Sequence, residues 1–292
     1  MTEYAITYGK TLVPVYRHDA APLEGLRALP ESDVTSRDTR LVAARVTVEV
    51  FGDNFLPSYT EGDNSMVVAT DSIKNLILRE TGSWTGATLE SLLHHLGGHL
   101  LNGYPQMEAL LVSGEEIRFD PCGPGGSLHT RVPGDHATAE LRLVRAGDGV
   151  AIDDLRCARR DMALLKRTGS AFTHFVRDDY TTLPERGDRP LYVGLDVGWR
   201  YADPVLALGA APASYVDGLQ VRDVCAAVFE ELVSESIQHL VHEMGLRMLA
   251  RFPELSEVSF EGRNLTRDPV VDGVVYTDPF PAHGTITLTM RR

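Results

Sequence analysis

Lysine is nearly missing from this chain: Lys10, Lys74 and Lys166 are its whole complement, and arginine carries the remaining fixed positive charge. Cysteine is as scarce. Cys122, Cys157 and Cys225 are far apart and show no CxxC spacing, which excludes a disulfide framework and a cysteine-based zinc module. No basic cluster offsets a formal net charge of -13, so neither nucleic acid nor an anionic membrane surface is expected as a partner. No apolar run reaches the roughly 20 residues that a membrane helix needs, and the first residues lack a charged-then-apolar signal pattern. The expectation is a cytoplasmic protein. Low-complexity tracts and long linkers are also lacking, the main irregular loops falling at Ser127–His136 and Ala202–Gly218.

What is present is an ordinary globular composition, 43% hydrophobic and 24% charged over 292 residues, enough for one large domain or two average ones. Strand patterns fall at Thr11–Arg17, Leu41–Phe51, Met107–Phe119 and Ala137–Val144, with helical periodicity from Ser72 through Asn102 between the second and third. The plan then repeats: strands within Val150–Thr168 and at Leu191–Tyr201, a helical stretch from about Val221 to Phe252, and strands at Leu255–Leu265 and Thr285–Met290. We read two tandem ββαββ modules, residues 1–147 and 148–292, in an α+β fold with helices on one face of antiparallel sheets. Open sheet edges call for closure by neighbouring subunits, hence an oligomer.

The densest polar run is Ser58–Asn75, SYTEGDNSMVVATDSIKN. It reads as a loop, a short apolar strand or extended piece at Met66–Ala69, and oxygen side chains at Thr70, Asp71 and Ser72 placed to cap a helix. Such a helix start suits an anion or a polarised ring. Arginine-rich coding bias accounts for the scarcity of lysine, yet an amine kept at Lys10 can lose a proton, which guanidinium does not do at ordinary pH. His95 and His99 have the spacing of a metal pair, but no third ligand accompanies them in sequence, so they read as helix histidines beside a close-packing Gly97-Gly98. His239 and His242 read as helix-surface histidines. In Ser170–Leu183, SAFTHFVRDDYTTL, an aromatic and Arg177 could stack on and fork onto a flat anion, while a plain strand-to-loop junction explains the same residues.

Together Tyr8-Gly9-Lys10, SYTEGDNSMVVATDSIKN, FVRDDYTTL behind Phe172, and Ile237-Gln238 resemble urate oxidase, the uricase of the tunnelling fold. The resemblance implies a homotetramer with intersubunit sites that reacts a purine with dioxygen, without metal or organic cofactor. It implies that Phe172 stacks on the purine, Arg177 and Gln238 grip it, and Ile237 offers its backbone N–H. Thr70 and Asp71 come from the adjacent subunit, Lys10 works with Thr70 on the proton, and Asn264 faces dioxygen or water. The family's Asn-x-His carries a relay histidine, where this chain has Asn264-Leu265-Thr266. A threonine relays a proton but does not hold one near neutral pH. Three activities therefore stay open at this point: oxidation of urate to 5-hydroxyisourate, oxidation of a different heterocycle, and purine binding without chemistry. His174, beside the stacking position, is a possible substitute for the missing base.

Overall fold

The computed structural model describes residues 2–147, 149–271 and 273–292. The chain divides into two compact units. The first comprises Met1–Arg27, Val34–Cys157 and Asp203–Tyr215, the second Ala28–Asp33, Ala158–Ala202 and Val216–Arg292.

The first unit contains strands β1 (Thr7–His18) and β2 (Leu41–Phe51), helices α1 (Thr70–Ser83) and α2 (Leu89–Gly103), and strands β3 (Ala109–Glu116) and β4 (His136–Ala146). The strands lie in the order β1-β2-β3-β4, followed by the first part of β5 (Gly149–Lys166). Pairing is antiparallel throughout β1 to β4. In β2 the alternation is direct: Val46, Val48 and Val50 are buried, while Arg45, Thr47 and Glu49 are only half-buried, as a pleated strand with one core face requires. Over that face lies α2, whose Leu92, Leu93, Leu96, Leu100 and Leu101 are fully buried.

The second unit takes the end of β5, then β6 (Leu191–Tyr201), helices α3 (Gly218–Glu231) and α4 (Ile237–Arg251), and strands β7 (Leu255–Asn264) and β8 (Gly284–Arg291). Its strand order is β5-β6-β7-β8. The short segment Ala28–Asp33 belongs here because Glu31 is clasped by Arg251 at 2.8 Å and Arg247 at 2.9 Å. Those guanidinium hydrogen bonds, Arg251's foremost, hold the Glu31 carboxyl down to about 2.

Apart from the one-turn helix Leu56–Thr60 in the first, each module thus reads ββααββ, which corrects the single helix expected per module. The residues 72–102 are divided at Trp84, which is extended, and by Thr88, whose hydroxyl caps α2 through a capping box with Ser91. The stretch 221–252 is divided by Ser236, which accepts the His239 N–H as the cap of α4. Hydrophobic periodicity runs across both breaks, because both helices of a pair bury a stripe in the same unit. Two further expectations change. Met66–Ala69 forms no strand, which leaves the extended piece, Ala69 having φ -55° and ψ 133°, and the loop at Ser127–His136 holds part of a small hairpin, Phe119–Cys122 with Leu128–Arg131.

Lys166 ends β5 with its ammonium against three carbonyls at the end of α3: Phe229 at 2.8 Å, Glu230 at 3.0 Å and Leu232 at 2.9 Å. Three N–H donors meet three acceptors that the helix leaves unpaired, at its negative end.

Gly97 and Gly245 occupy the same position in α2 and α4 and do the same work. A Cβ at Gly97 would come 2.3 Å from Leu143 and 3.1 Å from Val112, and one at Gly245 would come 2.3 Å from Met290. Gly98, next to Gly97, has nothing within 4 Å. The two neighbours should therefore respond oppositely to the same change. Gly98→Ala should raise stability by about 1 kcal/mol through helix propensity. Gly97→Ala should lower it, since overpacking of roughly 1–3 kcal/mol outweighs that gain. Chemical denaturation of the two variants checks the signs, and stabilisation by Gly97→Ala would contradict the packing argument.

Candidate active site

In the first unit the site residues sit where β1 meets the start of α1. The register of β1 against β2 slips between Lys10 and Val13. Leu12 adopts a left-handed φ of 54° and its N–H turns to Thr47 Oγ1 at 3.0 Å. Such a bulge re-aims side chains at a strand's kink, and Lys10 stands at its edge, half-buried. The polar run is pinned to the same strand. Tyr59 donates to the Thr7 carbonyl at 2.7 Å, and the Val68 N–H donates to the Tyr8 hydroxyl at 3.3 Å. Burial, the largest influence on Tyr8, pushes its pKa up.

Thr70, Asp71 and Ser72 do not cap α1. The cap position is Ala69, without a side-chain hydrogen bond, and the three oxygen-bearing residues form the exposed first turn. Their side chains are thus left to face outward instead of closing the helix end. Asp71 is held by Lys74 and by Asn75 at 2.9 Å. Its pKa is lowered, chiefly by the Lys74 hydrogen bond, with the charge of Lys10 adding to the effect. Lys10 and the start of α1 therefore share one electrostatic neighbourhood.

In the second unit, backbone pairing assembles the rest. Ser170 bridges Ser234 in parallel, and Phe172 bridges Arg186 in antiparallel fashion. The Ala171 N–H donates to the Ser234 carbonyl at 2.7 Å and the Arg189 N–H to the Ser170 carbonyl at 2.8 Å. The Phe172 segment is thereby fixed between the chain returning through Arg189 and the residues leading into α4. Ile237, the first residue of α4, is buried, and Gln238 beside it is exposed. Gly262 lets that helix start approach β7, because a Cβ there would lie 3.1 Å from Ile237 Cγ2.

A cavity of about 460 Å³ opens in this unit, lined by Phe172, Arg189, Tyr192, Asn264 and Thr266 among others. Asn264 ends β7 opposite Val193 and Gly284. Thr266 follows with its N–H on the Asn264 carbonyl at 3.1 Å. Phe172 stacks on Phe175 at 4.8 Å with 12° between planes. The Arg189 guanidinium lies 5.5 Å from the Phe172 ring centre. It is half-buried, burial lowers its pKa, and its buried Nε has no hydrogen-bond partner among the described residues.

Phe172, Asn264 and Thr266 are thus brought to one cavity, and Lys10 lies near enough to Asp71 for its charge to act there. Arg177 is not part of the cavity lining. It is exposed, donates to the Leu183 carbonyl at 3.1 Å, and lies over Phe175. The guanidinium beside Phe172 is that of Arg189, which the sequence reading did not single out. Gln238 and Ile237 stand at the α4 start outside the lining, and His174 is exposed with a left-handed φ of 59°.

These features define an α+β protein of doubled ββααββ plan, with an aromatic-and-arginine pocket in its second unit. The sequence profile named Uricase matches residues 156–278. The uricase of Haloferax volcanii is 46% identical over 271 residues, covering 89% of this chain and 88% of that protein. The uric acid degradation bifunctional protein PucL of Bacillus subtilis is 40% identical over 98% of this chain, which spans 61% of its length. A crystal structure of a uricase from Bacillus fastidious superposes with a TM-score of 0.96 at 39% identity, covering 99% of this chain and 94% of that one. The chain belongs to the uricase family, and its fold is the tunnelling fold of that family.

Proposed function

We propose that the protein is a urate oxidase: urate, dioxygen and water give 5-hydroxyisourate and hydrogen peroxide, the purine supplying the two electrons that dioxygen takes up. The observation that carries this reading is Arg189, a desolvated guanidinium with an unused Nε donor beside an aromatic ring in the cavity. A buried N–H donor left unpaired on a partly desolvated guanidinium is costly to maintain, and a flat anion stacked on Phe172 would supply the acceptor. In this reading Arg189 takes the gripping role that the sequence gave to Arg177, with Gln238 and the Ile237 N–H completing the grip. Lys10 and Thr70 remove the first proton, Asp71 orients them, and Asn264 positions dioxygen or water. Thr266 passes a proton along without storing one. The first turn of α1, exposed and uncapped, suits delivery of Thr70 and Asp71 across a subunit interface in a cytoplasmic homotetramer.

Identities of 40–46% with uricases across most of the chain favour urate oxidation over another heterocycle or silent purine binding. The chemistry asks for no group beyond dioxygen. The test is to mix purified protein with urate in air and follow the near-ultraviolet band, oxygen uptake and peroxide together. Equimolar loss of urate and oxygen with matching peroxide is expected. Tight urate binding by calorimetry without oxygen uptake would remove the oxidase reading.

A further inference from the structure

Away from these residues, the packing of α1 against α2 gives His95 and His99 the third partner that their local sequence lacks. Glu80, in the last turn of α1, places its Oε2 3.8 Å from His95 Nε2 and 3.6 Å from His99 Nε2. The two rings lie 4.5 Å apart between centroids, and the three potential ligand atoms all fall within 4.8 Å of one another. A tetrahedral ion with bonds of about 2.1 Å wants its ligand atoms roughly 3.4 Å apart, so the two carboxylate distances need only a few tenths of an ångström of closure.

We propose that Glu80, His95 and His99 form a binding site for a divalent transition-metal ion of the zinc type, which ties the end of α1 to α2. The donor set selects the ion class. Two imidazoles and one carboxylate suit Zn²⁺, Co²⁺ or Ni²⁺, whereas Mg²⁺ and Ca²⁺ prefer all-oxygen shells. The histidines are one helical turn apart on a single face, and His99 is exposed enough to leave a fourth position to water. Ser83 supports the site, its Oγ lying 2.7 Å from Glu80 Oε2 and 3.2 Å from His95 Nε2. His95 Nε2 also sits 3.1 Å from the Glu80 carbonyl. The incoming ion takes the place of the proton shared there, as metal binding to imidazole generally does.

Glu80 lies at the opposite end of α1 from Thr70, about 15 Å away at 1.5 Å per residue. The ion therefore acts on the stability of the helix pair. This inference does not depend on the proposed reaction.

The test is calorimetric titration of the metal-stripped full-length protein with Zn²⁺, paired with thermal melting. One saturable site per chain and a rise in Tm with Zn²⁺ are expected. Glu80→Gln and the exposed-site change His99→Asn should each weaken binding by more than the roughly 10–100-fold that loss of a mere supporting group causes. His242→Asn, on α4, should leave it unchanged. Circular dichroism of the metal-free variants shows that they fold. Absence of saturable Zn²⁺ binding, or a His95→Ala/His99→Asn double variant that binds and is stabilised like the parent, would overturn the proposal and leave an ordinary ion pair.

Discussion

Lys10→Met is expected to lower urate turnover by roughly 10²–10⁴-fold, the usual worth of a positioned general base, while leaving urate affinity nearly unchanged. The methionine keeps the apolar stem that fills the half-buried position at the β1 bulge and removes only the amine. The loss should therefore fall on kcat and not on KM, the pattern of an interaction made in the transition state alone. It should also release part of the downward pull on Asp71, to which Lys10 contributes. Thr266→Val supplies the contrast. A hydroxyl that relays without holding a proton is replaceable by solvent, so turnover should persist. Steady-state kinetics of the two variants decide the matter, and an unchanged kcat in Lys10→Met would move the proton transfer off the lysine.

Arg189→Gln is expected to reduce kcat/KM for urate by roughly thirtyfold to a few thousandfold, corresponding to the ~2–5 kcal/mol lost when one partner of a desolvated charge pair is removed. Binding by calorimetry should weaken in step. The substrate-free protein supplies the more discriminating readout. An arginine kept for structure would lower Tm when removed. Arg189 has an unpartnered buried Nε and a pKa already lowered by burial, so its removal should leave Tm unchanged or higher. Arg177→Gln is the control: an exposed guanidinium bonded to one carbonyl should matter little. Equal losses in the two variants, or a large fall in Tm for Arg189→Gln, would contradict the assignment of the grip to Arg189.

The contrast between these two arginines shows where sequence reasoning reaches. Strands Leu41–Phe51 and Leu191–Tyr201 are legible to the residue because a period of two leaves little choice. Lys10, Phe172, Asn264 and Thr266 are legible as candidates because the motifs that hold them are local. Arg177 stands five residues from Phe172 in sequence, so proximity along the chain selected it. The pairing of Phe172 with Arg186, which carries Arg189 back beside the ring, is a register, and register depends on both strands at once. The same limit hid Glu80 from His95 and His99, and split each expected helix in two. Apolar periodicity records which face is buried, and helices sharing a core keep that record through a break. Thr88 and Ser236, which end the continuity, are ordinary residues until their hydrogen bonds are known.

The ammonium of Lys166, enclosed by three carbonyl oxygens, bears on how this protein can be derivatised. Reagents that acylate amines must reach the nitrogen, and three hydrogen bonds keep the half-buried Lys166 Nζ engaged with the helix end. Among the three lysines, such reagents are thus directed to Lys74, which clasps Asp71, and to Lys10. Coupling the protein to polymers or surfaces through lysine would concentrate the attachment on the start of α1 and the β1 bulge, the part of the first unit to which proton handling is assigned. Carboxylate-directed coupling, with 41 aspartates and glutamates to draw on, spreads the attachment over the rest of the surface instead.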